Sequence, residues 1–268
     1  MEEKNMKITT AKDILEKNGI EVKLSHVMKD GRRKEALSIG SGKIVPTVYQ
    51  DTLNPIDTEA EMLQFAEQIM STVPAYDVSS LFTKEYFLAH VRSCLRPVTE
   101  DDESLTYPAF GDLEEYFRVF LNPIDDSCPS VIVLRAHLDA LEIDERELRQ
   151  AARDNLREQV QILPMADVIS ALIGMDAPEM PVDDMLYVAS TRDRIHGASI
   201  MLLGDVLTEF CKSQGLESVC IIPASRHEIL LVKGTIDRCE IDNMIREVNT
   251  TVSEQDVLSD HGYWFTAA

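Results

Sequence analysis

The sequence predicts a mixed fold, α+β or α/β, in which sheets are covered by amphipathic helices. Three observations carry that prediction. Stretches with apolar residues three and four apart alternate with short apolar runs along the chain. The longest helical pattern, DERELRQAARDNLREQVQIL (144–163), places Leu148, Ala152, Leu156 and Val160 four apart on one face, with charges around the rest. The last third holds two neighbouring apolar runs, ESVCIIP (217–223) and HEILLVKG (227–234), joined by a short PASR connection.

Taken in order, residues 10–18 form a short first helix, and VKLSHVMKDGRRKEALSIG (22–40) a hairpin. Its turn is Lys29-Asp30-Gly31, where glycine accepts the positive φ a tight reversal needs. After Pro46 comes a brief TVYQ strand, then a helix from Thr58. Thr58 and Glu61 make a capping box, and Met62, Phe65, Ala66 and Ile69 recur at helical spacing. KEYFLAHVRSCL (84–95) reads as a helix stopped by Pro97, and TEDDES (99–104) as a solvated loop. YFRVFL (116–121) and SVIVLRA (130–136) are strands joined by the turn-forming NPIDDSCP.

The helix over 144–163 follows, and GMDAPEMPVDD (174–184) is the best break in the chain. It divides an N-terminal portion, 1–174, from a C-terminal portion, 185–268, unless the two form one continuous domain. Beyond it LYVAS (186–190) is a strand, and SIMLLGDVLTEFCKSQG (199–215) a helix ended by Gly215. The two strands at 217–223 and 227–234 come next, then a helix over 236–249 and a terminal strand, HGYWF (261–265).

The charge narrows the classes of partner. With 47 acidic side chains against 26 basic, the net charge is −21. Nucleic-acid binding and anionic membrane surfaces are disfavoured, because both demand Lys and Arg. A basic protein partner is the favourable counterpart. The start, MEEKNMKITTAKDIL, lacks the apolar run of a secretory signal, and no uncharged apolar stretch approaches the roughly 18 residues of a membrane span. Five scattered cysteines without a CxxC pair fit reduced thiols in the cytoplasm rather than a disulfide framework or a zinc ribbon.

Chemistry concentrates in three places. PASRHEILLV (223–232) holds Ser225, His227 and Glu228, and LSDHGYW (258–264) holds Asp260 and His261. Ser225 lacks the GxSxG setting of an exposed nucleophile, and two side chains of one strand lie parallel rather than converging. His227-Glu228 is followed by ILLV, so the HExxH zinc pattern fails, and no metal or cofactor is expected. TRDRIHG (191–197) gathers Arg192, Arg194 and His196 ahead of a helix start, with Gly197 open to close approach, an arrangement suited to an anion.

The segments LRAHLDALEIDERELRQAARDNL, STRDRIHGASIMLLGDVL, IIPASRHEILLV and REVN, followed by VLSDHGYWF and preceded by IVPTVYQD, together resemble a family of uncharacterised bacterial proteins. That family is common in anaerobic gut bacteria and is known only as a domain of unknown function. The later half is also distantly similar to a second uncharacterised family of low-GC Gram-positive bacteria. The resemblance implies a bacterial cytosolic protein and brings no activity or catalytic residues.

Two functions follow. The first is a non-enzymatic interaction or binding module. The second is a hydrolase-type enzyme or anion-binding protein that gathers Arg192, Arg194, His196, His227, Asp260 and His261 at one place. Spatial convergence of these residues separates the two.

Overall fold

The structure, a computed structural model, describes residues 6–29, 32–41, 45–72, 83–99, 104–121, 129–173, 186–234, 237–253 and 256–267. The 174–184 break, the hairpin's 30–31 turn and most of the two loops at 99–104 and 122–129 lie outside these residues. Among the described residues helix accounts for 43% and strand for 31%, and every strand pairing described is antiparallel, which makes the fold α+β. The chain forms two compact units, Met1–Ser80 with Thr99–Asp102 and Ile124–Ser127, and the remainder.

In the first unit α1 (Ile8–Lys17), α2 (Gln50–Leu53) and α3 (Glu59–Thr72) accompany a sheet of β1 (Val22–Lys29), β2 (Arg32–Ile39) and β3 (Thr47–Tyr49). Leu15, Leu37, Ile39, Leu53, Met62 and Ala66 form its core. The expected capping box starts α3: Glu61 N donates to Thr58 Oγ1 (3.2 Å), and Thr58 N donates back to Glu61 Oε2 (3.1 Å). The backbone N–H groups of Asp57 and Thr58, with the Thr58 hydroxyl, hold the Glu61 carboxyl below its usual range.

The second unit carries two sheets. One is built from β4 (Val91–Pro97), β5 (Thr106–Pro108), β6 (Leu113–Phe120) and β7 (Ser130–Ile132). The other runs β12-β10-β11-β9-β8, from β8 (Val160–Pro164), β9 (Leu186–Thr191), β10 (Ser218–Ser225), β11 (Glu228–Val232) and β12 (Tyr263–Thr266). Its helices are α4 (Lys84–His90), α5 (Arg135–Leu141), α6 (Glu145–Gln159), α7 (Met165–Ile173), α8 (Gly204–Ser213) and α9 (Arg238–Asn249), with a 3₁₀ helix over Gly197–Leu202.

Four elements depart from expectation. The helix over 84–95 ends at His90, and Val91–Pro97 is strand. Asn155 of α6 explains the stop: its Nδ2 donates to the carbonyls of Leu88 and Val91, both at 2.8 Å, taking acceptors that a continuing helix would need. The helix over 144–163 ends at Gln159, because Val160–Pro164 pairs along β9 as an edge strand, where a proline costs no ladder bond. The strand over 130–136 stops at Ile132, and Arg135 opens α5. The 199–215 helix is two pieces, broken at Leu203 by its ψ of 75°.

Alternation along the strands assigns the faces. In the five-stranded sheet Val219, Ile221, Ile229 and Leu231 meet Leu207, Phe210 and Cys211 of α8. Cys220, on the opposite face of β10, meets Ile241 and Ile245 of α9, so helices cover both sides. In the smaller sheet Val91, Phe117 and Val119 face Leu148 and Ala152 of α6. Glu115 on that same face is 1% exposed and accepts from Ser93 Oγ (2.8 Å), Arg149 Nη2 (2.9 Å) and Arg153 Nη2 (3.1 Å). The other face of β4 and β6 points away from α6 and carries the chemistry below.

Candidate functional site

Two turns meet at the ends of β9 and β10. A bulge bends β10 between Ile222 and Ser225, so Arg226 and His227 form the turn itself rather than continuing a strand. Ser225 Oγ accepts from the backbone N–H of His227 at 3.0 Å, a local turn bond and not an approach to the imidazole. The turns are tied together by Ser190 Oγ donating to His227 O (2.7 Å) and Ala198 N donating to Arg226 O (3.3 Å). Arg226 N in turn donates to Asp256 O at 2.9 Å.

His227 uses both of its ring nitrogens. Nδ1 accepts from the backbone N–H of His196 at 3.3 Å, and Nε2 faces Asp256 Oδ1 at 3.6 Å. A neutral ring whose Nδ1 accepts carries its proton on Nε2, here directed at a carboxylate. Nδ1 is thereby taken, and Nε2 has a carboxylate as its neighbour.

His196 sits beneath it, with ring centroids 5.8 Å apart. Its backbone is left-handed (φ 56°), which turns the chain into the 3₁₀ helix and leaves the side chain 8% exposed. The ring stands edge-on to Tyr116 (6.1 Å) and Phe120 (6.3 Å) of β6. Its Nδ1 is buried and has no hydrogen-bond partner among the described residues.

The floor under His196 is the outer face of β4 and β6. Arg92 lies directly across the ladder from Arg118, and Cys94 across from Tyr116. Like charges opposed in this way repel and normally destabilise a pair of strands. Arg92 Nη2 donates to Asp193 at 2.6 Å, and its guanidinium lies 3.7 Å above the Phe120 ring. Burial opposes ionisation of Asp193, yet the Arg92 bond, helped by Thr191 and the Ile195 amide, holds its carboxyl low. Arg118 gives Nε and Nη2 to the hydroxyl and carbonyl of Ser130, both neutral acceptors. Burial pushes the Cys94 thiol up to about 12, so it is a packed, unreactive sulfur.

Burial, then the charges of Arg118, Arg226, His227 and Arg92, lower the His196 pKa from 6.5 to about 3. The native state therefore refuses a proton that the unfolded chain accepts. Stability is full above the unfolded value and falls as pH drops from there toward the folded one. Between about pH 7.5 and about pH 5 the native state should lose roughly 2 kcal/mol through this ring. Urea unfolding at several pH values checks this. His196→Asn, which tolerates the left-handed backbone, should flatten the slope in that window, and a slope unchanged in the variant would refute the assignment.

The remaining expected residues lie apart from this cluster or on its rim. Arg192 and Arg194 are exposed. Gly197 serves close packing: a Cβ there would meet His227 O at 2.3 Å and Thr191 N at 2.7 Å. Asp260 accepts from Asn249 Nδ2 (2.8 Å), and His261 Nδ1 lies 3.3 Å from Asp242, so both are tethered to α9. The Gly262 amide, with His261, keeps the Asp242 carboxyl low. No group of three or more metal-ligating side chains assembles among the described residues. None of the described helices is long and apolar enough to cross a membrane.

Sequence reasoning missed Arg92, Arg118 and Arg226. The available signal was Arg118, a cation in the middle of the apolar run YFRVFL.

A family model described as a family of unknown function (DUF5688) matches residues 4–267. No curated protein and no solved structure matches the chain.

Proposed function

The chain belongs to this family of unknown function, and we propose that it is a non-enzymatic binding protein of the bacterial cytoplasm whose working surface is the junction of the 191–197 and 226–227 turns. The observation that carries the reading is the double engagement of the His227 ring, by the His196 N–H on one side and Asp256 on the other. A general base needs one nitrogen directed at the proton it removes. Ser225 is likewise spent on its own turn, and Asp260 and His261 are held by α9 rather than by His227. What the junction offers instead is fixed positive charge, with Arg192 and Arg194 exposed at its edge.

Elsewhere the net charge of −21 favours a basic protein partner over nucleic acid or an anionic membrane. The test is turnover of chromogenic carboxylic and phosphoric esters by the full chain. The expected rate is that of buffer alone. Turnover that falls in His227→Ala would overturn the binding reading in favour of a hydrolase.

A further inference from the structure

We infer that the Arg92–Arg118 face, roofed by His196, binds a phosphate group, either as the free anion or as the terminal group of an ester. This rests on the binding reading and names its ligand. The first support is an unbalanced charge. Arg92 is answered by Asp193, and Arg226 shares Asp256 (3.9 Å) with His227. Arg118, directly opposite Arg92, is met by Ser130 alone and by no carboxylate among the described residues. An uncompensated guanidinium in a ladder position against another guanidinium is unfavourable unless an anion lies between them.

The second support is independent of charge. Arg92 Nη1 and His196 Nδ1 are both buried with no hydrogen-bond partner among the described residues, while the rest of each residue is held in place. Arg92 is fixed by Asp193 and Phe120, and His196 by Tyr116, Phe120 and the bond from its own N–H to His227. Leaving a buried polar atom unsatisfied is costly, and an incoming acceptor removes that penalty. The donors are thus preorganised around one aromatic wall, Phe120, whose low polarity strengthens each contact.

The geometry also selects the ligand. One guanidinium satisfies a planar carboxylate through two parallel bonds, whereas Arg92 gives Asp193 a single bond, from Nη2, and keeps Nη1 for another acceptor. The donors on offer come from three separate elements: Arg92 on β4, Arg118 on β6 and His196 ahead of the 3₁₀ helix. Donors spread over three directions suit a tetrahedral group with three exposed oxygens and more than one negative charge. His196 can present N–H at Nδ1 to such an oxygen without taking up a proton, by placing its single hydrogen there.

The experiment is isothermal titration of the full chain with inorganic phosphate, phenyl phosphate and acetate in a non-phosphate buffer. Saturable phosphate binding is expected, with acetate weaker by about tenfold or more. Tighter binding of phenyl phosphate would mean that the group arrives on a larger molecule, and tighter inorganic phosphate that the free anion is the ligand. Arg118→Gln should weaken binding by about 10- to 100-fold, the range of a lost charged hydrogen bond. Arg118→Lys, which keeps the charge and the fold, should still lose about fivefold because the planar fork is gone. Lys212→Ala, exposed in the last turn of α8 and outside the cluster, should change affinity less than about twofold. No saturable binding of either phosphate, equal affinity in both Arg118 variants, or tighter binding of acetate would each overturn the proposal. The first of these, without ester turnover, would leave the binding reading standing and remove only this ligand.

Discussion

Gly197→Ala is expected to cost about 3 kcal/mol of stability, at the upper end of overpacking substitutions. The added methyl would lie 2.3 Å from His227 O, 2.4 Å from Ser190 Oγ and 2.7 Å from Thr191 N. Two of these three are backbone atoms of the turn and strand that the glycine joins, so no side-chain rotation relieves the clash. Relief requires the 226–227 turn to move away from the start of the 3₁₀ helix. That movement breaks the bonds from Ser190 Oγ to His227 O and from His196 N to His227 Nδ1. Chemical denaturation should show the loss, and the variant should bind phosphate more weakly than its residual stability alone would suggest. A loss under about 0.5 kcal/mol would mean that the two turns are not rigidly joined.

Glu115→Ala should cost about 3 kcal/mol. The carboxylate is 1% exposed and gathers Ser93, Arg149 and Arg153, so it fastens α6 across β4 and β6. Removing it leaves a buried hydroxyl without its acceptor and two guanidiniums without their counter-charge. Because Arg149 and Arg153 are 39% and 36% exposed, water recovers part of their charge, which keeps the effect at the low end for a broken buried pair. The site should respond as well, since α6 also supplies the Asn155 bonds that end α4 and start the strand bearing Arg92. A urea midpoint unchanged from wild type would show that α6 is held by its apolar face, Leu148, Ala152 and Leu156, without help from the ionic cluster.

Elements decided by their own chemistry were legible in the sequence. The hairpin at 22–40, the Thr58–Glu61 box and the paired strands around the 226–227 turn each follow from residues within a few positions of one another. Elements decided at a distance were not. KEYFLAHVRSCL supports a helix to Leu95 on spacing alone, and what halts it is Asn155, more than sixty residues away. The four-residue rhythm of Leu148, Ala152 and Leu156 continues to Val160, yet β9 recruits Val160 into the sheet.

The same division runs through the site. His196, His227 and their turns stood out as polar stretches. Arg92 was hidden inside an apparent helix, and only the register of β4 on β6 sets it opposite Arg118. Asp260 and His261 were attractive by composition, but Asn249 and Asp242 of α9 hold them. Side-chain type can nominate a residue; only the pairing of distant strands shows which nominees share a face.

The most direct measurement is a long-range proton–nitrogen NMR spectrum of the histidine rings in the full chain, recorded with and without inorganic phosphate. A binding site built as described predicts that His227 keeps its proton on Nε2 throughout, while the His196 Nδ1 resonance moves with phosphate and saturates at the calorimetric affinity. A His227 ring protonated on Nδ1 with Nε2 open, and a His196 signal indifferent to phosphate, would contradict it and return the cluster to the chemistry of a general base.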